Sequence, residues 1–425
     1  MSENCYNKEL FMQHFNKWFS QRQSNIQQRL IEFINDDTST PNEKACFEKV
    51  TRYLEEIGFN VSYEMTHPEL RKHPSFSPHK YSQMTSERGN LRARLKSIPD
   101  HKKVVLFNCH LDVVPGTNDF ENAFKGYVEN GKIFGRGACD TKNNLIMLGE
   151  AIRFLKDKNI SFKRIPAVDL VIEEEIGGNG TLSTILNGID ADEVICLEPT
   201  SLEVFRGHRG CISFQVEVPG ISVHMGSDSY GINAIEWTFE IIKSLKSMEK
   251  GLLEEAKSDP DFNIWERPLQ LNIGMISGGE WTGSVPERCV LAGDLGFLPK
   301  YSLNEIESII ELACRNIDNK WVSDNLKVVF NGLRNDAYII PGELPLVKDL
   351  ILMADIVGLK QNRNCGWKVS CDARYYAKDC NIPVVIFGSG SLSDAHSAHE
   401  CIDFEELRKG SCIVAGFISG MYEEV

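Results

Sequence analysis

The sequence predicts an α/β protein with a mostly parallel central sheet and a smaller α+β domain inserted into it. Three observations predict this class. Strand-like and helix-like segments alternate in the N-terminal half of the chain. After Phe205 the strands alternate apolar and polar residues, which is typical of antiparallel sheets with one face in solvent. After about Tyr338 the alternation of helix and strand returns.

The first elements follow from the spacing of apolar residues. Segments 25–37 and 45–59 have helical spacing, and Gly58 ends the second helix. Strands are expected near Val61 and at Val104–Phe107. The segment between these strands is rich in Pro, Ser and His, and it is interpreted as a surface loop, with a substrate-proximal lid as the alternative.

Later elements complete the predicted sheet. A helix at 141–157 precedes two strands, 167–175 and 192–200, and both strands end in acids. Ligands of parallel α/β sheets bind beyond the carboxyl ends of the strands, so we expect a functional site at that edge. The inserted domain is predicted to hold a helix at 231–249 and four strands at 211–220, 269–276, 289–298 and 326–333. The last part of the chain is predicted to hold a helix at 344–358 and a strand at 383–388.

Composition excludes several classes of protein. The formal net charge of -14 over 425 residues argues against nucleic acid or an anionic membrane as the main partner. The start, "MSENCYNKEL", does not resemble a signal peptide, and no apolar run reaches the length of a membrane span. The 13 cysteines are scattered without a C-x-x-C pair, which indicates free thiols in a reducing cytoplasm.

The stretch "VVLFNCHLDVVPG" is an apolar strand that ends in polar residues. Side chains alternate along a strand, so His110 and Asp112 point to the same side. The simpler interpretation is a strand end with two polar residues in solvent. It becomes less attractive because acids and histidines end other elements in the same way.

Four further polar clusters lie where elements end. They are Asp140 in "FGRGACDTKNN", Glu173, Glu174 and Glu175 in "LVIEEEIGG", Glu198 in "VICLEPT" and His396 in "SDAHSAHECIDFEEL". Each has a structural alternative, such as a helix N-cap for Asp140 or a solvated acidic turn for the three glutamates. Three adjacent carboxylates repel unless cations are supplied, and the combined set matches the ligands of a divalent metal site. No G-x-S-x-G or G-x-G-x-x-G motif supports a serine hydrolase or a dinucleotide site.

These motifs, in this order, resemble the dinuclear zinc amidohydrolases and exopeptidases that include acetylornithine deacetylase, succinyl-diaminopimelate desuccinylase, aminoacylase and the glutamate carboxypeptidases. The resemblance runs from about Ile26 to Leu407. It implies two bound divalent ions, Zn²⁺ first, with Co²⁺ or Mn²⁺ as substitutes. It also implies a cis peptide bond after Asp140.

The resemblance implies a role for each matching residue. One ion would be bound by His110, Asp140 and Glu198, and the other by Asp140, Glu175 and His396, with Asp140 as the bridge. Asp112 would fix the tautomer of His110. Glu174 would be the general base, and Glu173 takes the place of the usual Asp of the D-E-E motif.

The inserted domain resembles the lid and dimerisation domain of the same family. His224 would reach the active site of the neighbouring subunit, with a hairpin-loop histidine as the alternative. Arg374, in "CDARYY", would pair with a substrate carboxylate or form a surface salt bridge. The predicted parts are a catalytic domain at 1–206 and 337–425, and a lid and dimerisation domain at 207–336.

Two departures from the family pattern concern substrate binding. Gly283 replaces the usual Asn of N-x-x-P, and Gly296 replaces the frequent Arg of a later D-x-R. The stretch "GGEWTGSVPE" is closer to acetylornithine deacetylase and formylaminopyrimidine deformylase. We therefore expect a cytoplasmic, homodimeric zinc hydrolase that removes the acyl group from an N-acyl amino acid. The alternatives are a dipeptidase or carboxypeptidase acting on short peptides, a formamide-cleaving pyrimidine deformylase, and an inactive metal-binding homologue.

Overall fold

The computed structural model describes residues 8–421, apart from 79–81, 83, 84, 86, 97–101, 228 and 362–364. The chain divides into two compact units. The first comprises Met1–Gly207, Ile340–Arg363 and Tyr375–Val425, and the second comprises His208–Ile339 and Asn364–Arg374. Each unit has its own apolar core. The polar start of the chain, at residues 1–7, and part of the predicted loop before Gly89 lie outside the described residues.

The described residues form eleven α-helices. They are α1 (Lys8–Gln21), α2 (Gln23–Ile34), α3 (Phe47–Ile57), α4 (Lys142–Asp157), α5 (Asn179–Asn187), α6 (Ala234–Ala256), α7 (Leu303–Arg315), α8 (Lys320–Asn325), α9 (Pro345–Ile356), α10 (Ala373–Lys378) and α11 (Phe404–Ser419). Short 3₁₀ turns occur at Glu43–Cys46, Leu70–Lys72 and Asn118–Phe120.

The described residues also form sixteen β-strands. They are β1 (Phe59–Met65), β2 (Gly89–Leu95), β3 (Val104–His110), β4 (Tyr127–Glu129), β5 (Lys132–Phe134), β6 (Ile165–Val171), β7 (Glu193–Cys196), β8 (Gly207–His208), β9 (Gly210–Pro219), β10 (Leu271–Gly278), β11 (Arg288–Phe297), β12 (Lys327–Val329), β13 (Arg334–Asn335), β14 (Tyr338–Ile339), β15 (Val384–Ile386) and β16 (Cys401–Asp403).

The first unit is organised around a six-stranded sheet of order β1-β2-β6-β3-β7-β15. Strands β6, β3, β7 and β15 are parallel, whereas β2 runs antiparallel to both of its neighbours. All seven residues of β6 are buried, as expected for a parallel strand covered on both faces. The predicted fold class, α/β with a mostly parallel sheet, is confirmed.

Helix α4 occupies the centre of this unit. Leu145, Leu148 and Ile152 lie on its buried side, and Gly149 packs so tightly that a Cβ there would lie 2.1 Å from the Tyr53 hydroxyl. Because nearly the whole helix is buried, its N-terminus is held firmly. That N-terminus directly follows Asp140, so the core of the first unit positions this carboxylate.

The second unit has an antiparallel sheet of order β10-β11-β9-β12, with β13 also paired to β9. Residues of β9 alternate between buried and half-buried, which matches the predicted alternation. Helix α6 packs on the sheet and α7 packs on α6, and the two helices contribute Ile241, Leu245 and Ile306 to the core. Ser302 begins α7 with a capping box that it completes with Glu305.

The segment Asn364–Arg374 belongs to the second unit, although the predicted boundaries place it in the catalytic domain. Hydrogen bonds explain this placement. The backbone N–H of Gly366 donates to the carbonyl of Asp261 at 2.7 Å, and the Trp265 indole donates to the carbonyl of Gly366 at 2.7 Å. Among the described residues, no helix is long and apolar enough to cross a membrane.

Candidate metal centre

The candidate site lies at the carboxyl edge of the parallel strands of the first unit. His110 is the last residue of β3 and pairs in register with Val171, the last residue of β6. The three glutamates begin two residues after the end of β6, and Glu198 lies two residues after the end of β7. Parallel strands therefore bring together side chains that are distant in sequence.

The first group of side chains contains His110, Asp140 and Glu198, all of which are buried. The Nε2 atom of His110 lies 3.0 Å from Oδ1 of Asp140 and 4.0 Å from Oε2 of Glu198. One nitrogen and two carboxylate oxygens of this group lie within 4.8 Å of one another. The peptide bond from Asp140 to Thr141 is cis, as the resemblance implies.

The second group contains Asp140, Glu175 and His396. The Nε2 atom of His396 lies 3.3 Å from Oδ2 of Asp140 and 3.0 Å from Oε2 of Glu175. Asp140 therefore uses one oxygen in each group. The His396 side chain is 51% exposed, so this side of the site is open to solvent.

The cluster has a strong demand for positive charge. Hydrogen bonds to Asp140 and Glu175 raise the pKa of His396 to about 11. Burial alone would lower the pKa of His110, but its hydrogen bond to Asp140 and the nearby carboxylates raise that pKa well above its usual value. Burial likewise opposes ionisation of Asp140, yet hydrogen bonds to both histidines hold its pKa below the usual value. The carboxylates thus favour positive charge beside them.

Asp112 holds His110 in a different way from the predicted one. Its backbone carbonyl, not its carboxylate, accepts a hydrogen bond from Nδ1 of His110 at 2.8 Å. The carboxylate is 3.8 Å from that nitrogen and instead accepts a hydrogen bond from the backbone N–H of Glu175 at 3.0 Å. With Nδ1 protonated, the lone pair of the neutral ring is on Nε2, which faces Asp140 and Glu198. Burial raises the pKa of Asp112 to about 8.

The three consecutive glutamates have different surroundings. Glu173 is fully buried and forms an ion pair with Arg88, which also pairs with the buried Glu43. Glu174 is half-buried, and its charge contributes to the raised pKa of His110. Glu175 faces His396. The arrangement gives Glu173 a structural role and leaves Glu174 beside the candidate ligands.

Glu400 is a residue that the sequence analysis did not identify. It is fully buried, and its Oε1 atom accepts hydrogen bonds from the backbone N–H groups of Gly137, Cys139 and Asp140 at 2.9–3.0 Å. Its other oxygen lies 2.5 Å from Nη1 of Arg136. Glu400 therefore fixes the glycine-rich turn that carries Asp140. No local motif marks Glu400, which is one of several acids around β16 in the sequence.

The remaining predicted residues, His224 and Arg374, belong to the second unit. His224 is exposed, in a loop bridged to Ser284, and its Nδ1 accepts a hydrogen bond from the backbone N–H of Gly226 at 3.1 Å. Arg374 is buried, with 4% of its side chain exposed, and its Nη1 donates to the carbonyl of Cys371 at 2.6 Å. The alternative of a surface salt bridge is therefore wrong, because Arg374 is not at the surface.

The donor atoms fit a pair of divalent ions. Two sets of one imidazole and two carboxylates share a single bridging carboxylate, and nitrogen with oxygen ligands suits Zn²⁺, Co²⁺ or Mn²⁺. Asp112, behind His110, has a buried Oδ1 that accepts no hydrogen bond from the described residues. Cys109 and Cys139 are buried beside the site, and burial raises the pKa of both thiols, that of Cys109 to about 12.

Comparison with known proteins agrees with this geometry. Residues 106–420 match the sequence profile of peptidase family M20/M25/M40. The acetylornithine deacetylase of Buchnera aphidicola subsp. Schizaphis graminum is 28% identical over 336 residues, which cover 76% of this chain and 82% of the relative. The N-formyl-4-amino-5-aminomethyl-2-methylpyrimidine deformylase of Bacillus subtilis is 24% identical over 414 residues and 92% of each chain.

A solved structure shares the fold. Aminopeptidase PepT from Bacillus cereus superposes with a TM-score of 0.72 at 20% identity, covering 93% of this chain and 99% of its own. The fold, the two ligand groups and the profile match define a metallohydrolase that acts on linear amide bonds, as the sequence predicts. The chain belongs to peptidase family M20/M25/M40.

Proposed function

We propose that this protein is a two-zinc hydrolase that removes the acyl group from an N-acyl amino acid. The observation that carries the proposal is the pair of ligand groups that share Asp140, with Glu174 beside them. Retention of all five candidate ligands and of an acid at position 174 argues against an inactive homologue. A homologue that only bound metal and did not catalyse hydrolysis would not need an acid at position 174.

The proposed chemistry divides between the ions and the side chains. Divalent ions at the site would supply Lewis acidity toward the amide carbonyl and would lower the pKa of water. Glu174 would accept the proton of the attacking water and deliver it to the leaving amine. Glu174 is half-buried and lies three residues after the end of β6.

The second unit supports a role for His224 at the active site of a partner subunit. Since Gly226 donates to Nδ1, the proton of the neutral ring is on Nε2, which can then donate a hydrogen bond to a developing oxyanion. The edge strand β10 exposes Met275 and Ile276, of which 73% and 50% of the surface is accessible. An exposed apolar edge favours pairing with a second copy. We therefore propose a homodimer with a shared active site.

Two relatives support an acyl amide as the substrate, because one is an acetyl amide hydrolase and the other a formyl amide hydrolase by name. The B. subtilis deformylase spans 92% of both chains, which makes an N-formyl aminopyrimidine the second candidate substrate. Twelve free cysteines among the described residues support the proposed location in the reducing cytoplasm.

The direct test is a hydrolysis screen of zinc-loaded and cobalt-loaded protein. N-acetyl, N-formyl and N-succinyl amino acids are compared with dipeptides and with a formylaminomethylpyrimidine, and Glu174→Gln protein prepared identically is the control. We expect turnover of acyl amino acids that the control lacks. Faster cleavage of dipeptides would make the protein a peptidase, and faster cleavage of the pyrimidine would make it a deformylase. No metal-dependent cleavage of any compound would contradict the proposal.

A further inference from the structure

The turn between β6 and α5, which carries Glu174, has an unusual backbone. Glu173 has a φ of 60°, in the left-handed region, and Gly177 and Gly178 have φ values of 123° and 76°. A backbone hydrogen bond from the N–H of Gly178 to the carbonyl of Glu173, at 2.8 Å, closes the turn. A residue other than glycine keeps a left-handed conformation only where surrounding contacts hold it there. The contacts around this turn therefore determine its shape.

Asn179, the first residue of α5, supplies such a contact. Its side chain is fully buried, and its amide pairs with the backbone of Ser77 in both directions. The N–H of Ser77 donates to Oδ1 of Asn179 at 3.0 Å, and Nδ2 of Asn179 donates to the carbonyl of Ser77 at 3.0 Å. The same Nδ2 donates to Oε2 of Glu173 at 3.0 Å. One amide group therefore joins the turn to a segment that lies 102 positions earlier in the chain.

Residues 75–77, here called the strap, make further contacts with the turn. The hydroxyl of Ser77 donates to the carbonyl of Ile176 at 2.9 Å. Phe76 packs against a small apolar cluster that contains Ile172, the residue after β6. The sequence predicts a surface loop between β1 and β2, with a lid as the alternative. At the strap, this loop is fixed to the turn that carries Glu174.

Glu175 has a second anchor that does not involve the strap. Its backbone N–H donates to the carboxylate of Asp112 at 3.0 Å, and its own carboxylate lies 3.0 Å from Nε2 of His396. Glu174 lies in the chain between this anchor and the residue whose carboxylate Asn179 contacts. Loss of the contact between Asn179 and the strap should therefore displace Glu174 more than it displaces the candidate ligand Glu175.

We propose that Asn179 is a positioning residue, which holds the turn against the strap and thereby sets the position of the Glu174 carboxylate. The inference rests on the proposed function, in which Glu174 accepts the proton of the attacking water. Without the Asn179 amide, the backbone of Ser77 and the carboxylate of Glu173 lose hydrogen-bond partners in a buried place. A displacement of about 1 Å at a reacting group costs about 10²-fold in rate.

Hydrogen exchange followed by mass spectrometry tests the anchoring without requiring turnover. In zinc-loaded Asn179→Ala protein, peptides that span 172–178 should exchange about 10-fold faster than in the wild type, and peptides around Asp140 should exchange as before. Ser77→Ala, which removes only the hydroxyl bond to Ile176, should show a smaller increase in the same peptides.

Asn187→Ala is the matched control for hydrogen exchange. Asn187 is the last residue of the same helix, and its side chain donates to the carbonyl of Met65, at the end of β1, at 3.2 Å. This variant should leave the exchange of 172–178 unchanged. Wild-type exchange of the turn in folded Asn179→Ala protein, or in Ser77→Ala protein if Asn179→Ala does not fold, would overturn the proposal.

A double variant tests whether Asn179 acts through Glu174. The substrate is the amide that the wild type cleaves fastest in the screen, and zinc content is measured on every preparation. Asn179→Ala should lower kcat about 10- to 100-fold with KM and zinc content unchanged. Glu174→Gln combined with Asn179→Ala should be no slower than Glu174→Gln alone, because the carboxylate that Asn179 positions is already absent.

A further loss of kcat in the double variant, or a loss of zinc that matches the loss of kcat in Asn179→Ala, would overturn the positioning role. Either result would mean that Asn179 acts on the fold or on the metal ligands and not through Glu174. If the wild type cleaves no compound, the proposed function alone is contradicted, since hydrogen exchange still decides whether Asn179 anchors the turn.

Discussion

The carboxylate of Glu400 anchors the main chain of Asp140, a residue that lies 260 positions earlier in the sequence. The same oxygen accepts three backbone N–H groups of the glycine-rich turn, and a fully buried Arg136 balances its charge. An acid with no direct contact to the proposed ions therefore sets the position of the residue that would bridge them.

Glu400→Gln should weaken metal binding without abolishing the fold. The amide retains one oxygen, but its NH₂ group must face either Arg136 or the turn's N–H groups, all of which are donors. Loss of a group that positions a ligand costs about 10- to 100-fold in metal affinity. Competition with a chelator measures this affinity. Glu48→Gln, in which the parent side chain is 86% exposed, is the matched control. A folded Glu400→Gln protein with wild-type zinc affinity would show that the role is structural only.

Asp140→Ala should lose most of both ions, since one carboxylate oxygen belongs to each ligand group. Glu198→Ala should lose the ion of one group and retain more of the other. Metal analysis of dialysed protein gives the number of ions per chain for each variant. Two ions retained in Asp140→Ala would remove it from the bridging position.

Glu174→Gln should keep its zinc and its fold but lose nearly all turnover. The substitution preserves size and removes proton acceptance, and general acid–base catalysis contributes about 10²–10⁴-fold. Turnover number and zinc content are measured on the same preparation. A near-normal turnover number would exclude Glu174 as the base, and an equal loss of zinc would make it a ligand instead.

The edge of the sheet at which the site forms could be predicted from the sequence, because parallel strands fix where their carboxyl ends lie. His110 and Glu198 are brought together by β3 and β7 without any information about the loops. Helix α1 could also have been predicted. Phe11, Phe15 and Phe19 recur at helical spacing and are fully buried, although the start of the chain was interpreted only as polar.

Other features depend on contacts that no local pattern contains. Glu400 reaches its turn because β16 pairs with β5 and places the carbonyl of Glu400 3.1 Å from the N–H of Gly135. The carbonyl of Asp112 faces His110 because the chain turns after β3, whereas alternation along a strand predicts only where the carboxylate points.

Arg374→Lys should weaken the use of acyl amino acids much more than the use of their amides. The substitution keeps the charge and loses the planar arrangement of N–H groups. Ratios of kcat/KM for acids and amides measure the effect. Lys368→Arg, near Trp265 in the same segment, is the control. An equal decrease in kcat/KM for acids and amides would mean that Arg374 has a structural role, through its contacts with Cys371 and Asp372.

The last prediction tests whether the active site is shared between subunits. His224 belongs to the second unit, and all the candidate ligands belong to the first. If His224 serves the site of a partner subunit, Glu174→Ala and His224→Ala proteins should each be nearly inactive. The two variants are then unfolded and refolded together, so that their subunits mix at random. About half of the resulting dimers should contain one chain of each kind.

In a mixed dimer, one active site combines both defects and remains inactive. The other has an intact Glu174 from its own chain and an intact His224 from its partner. Activity should therefore recover to about a quarter of wild type, which corresponds to one working site in half of the dimers. Exchange of subunits is verified with two different affinity tags. If His224 acts within its own chain, every site keeps one defect, so an absence of recovery despite verified exchange rules out a shared site.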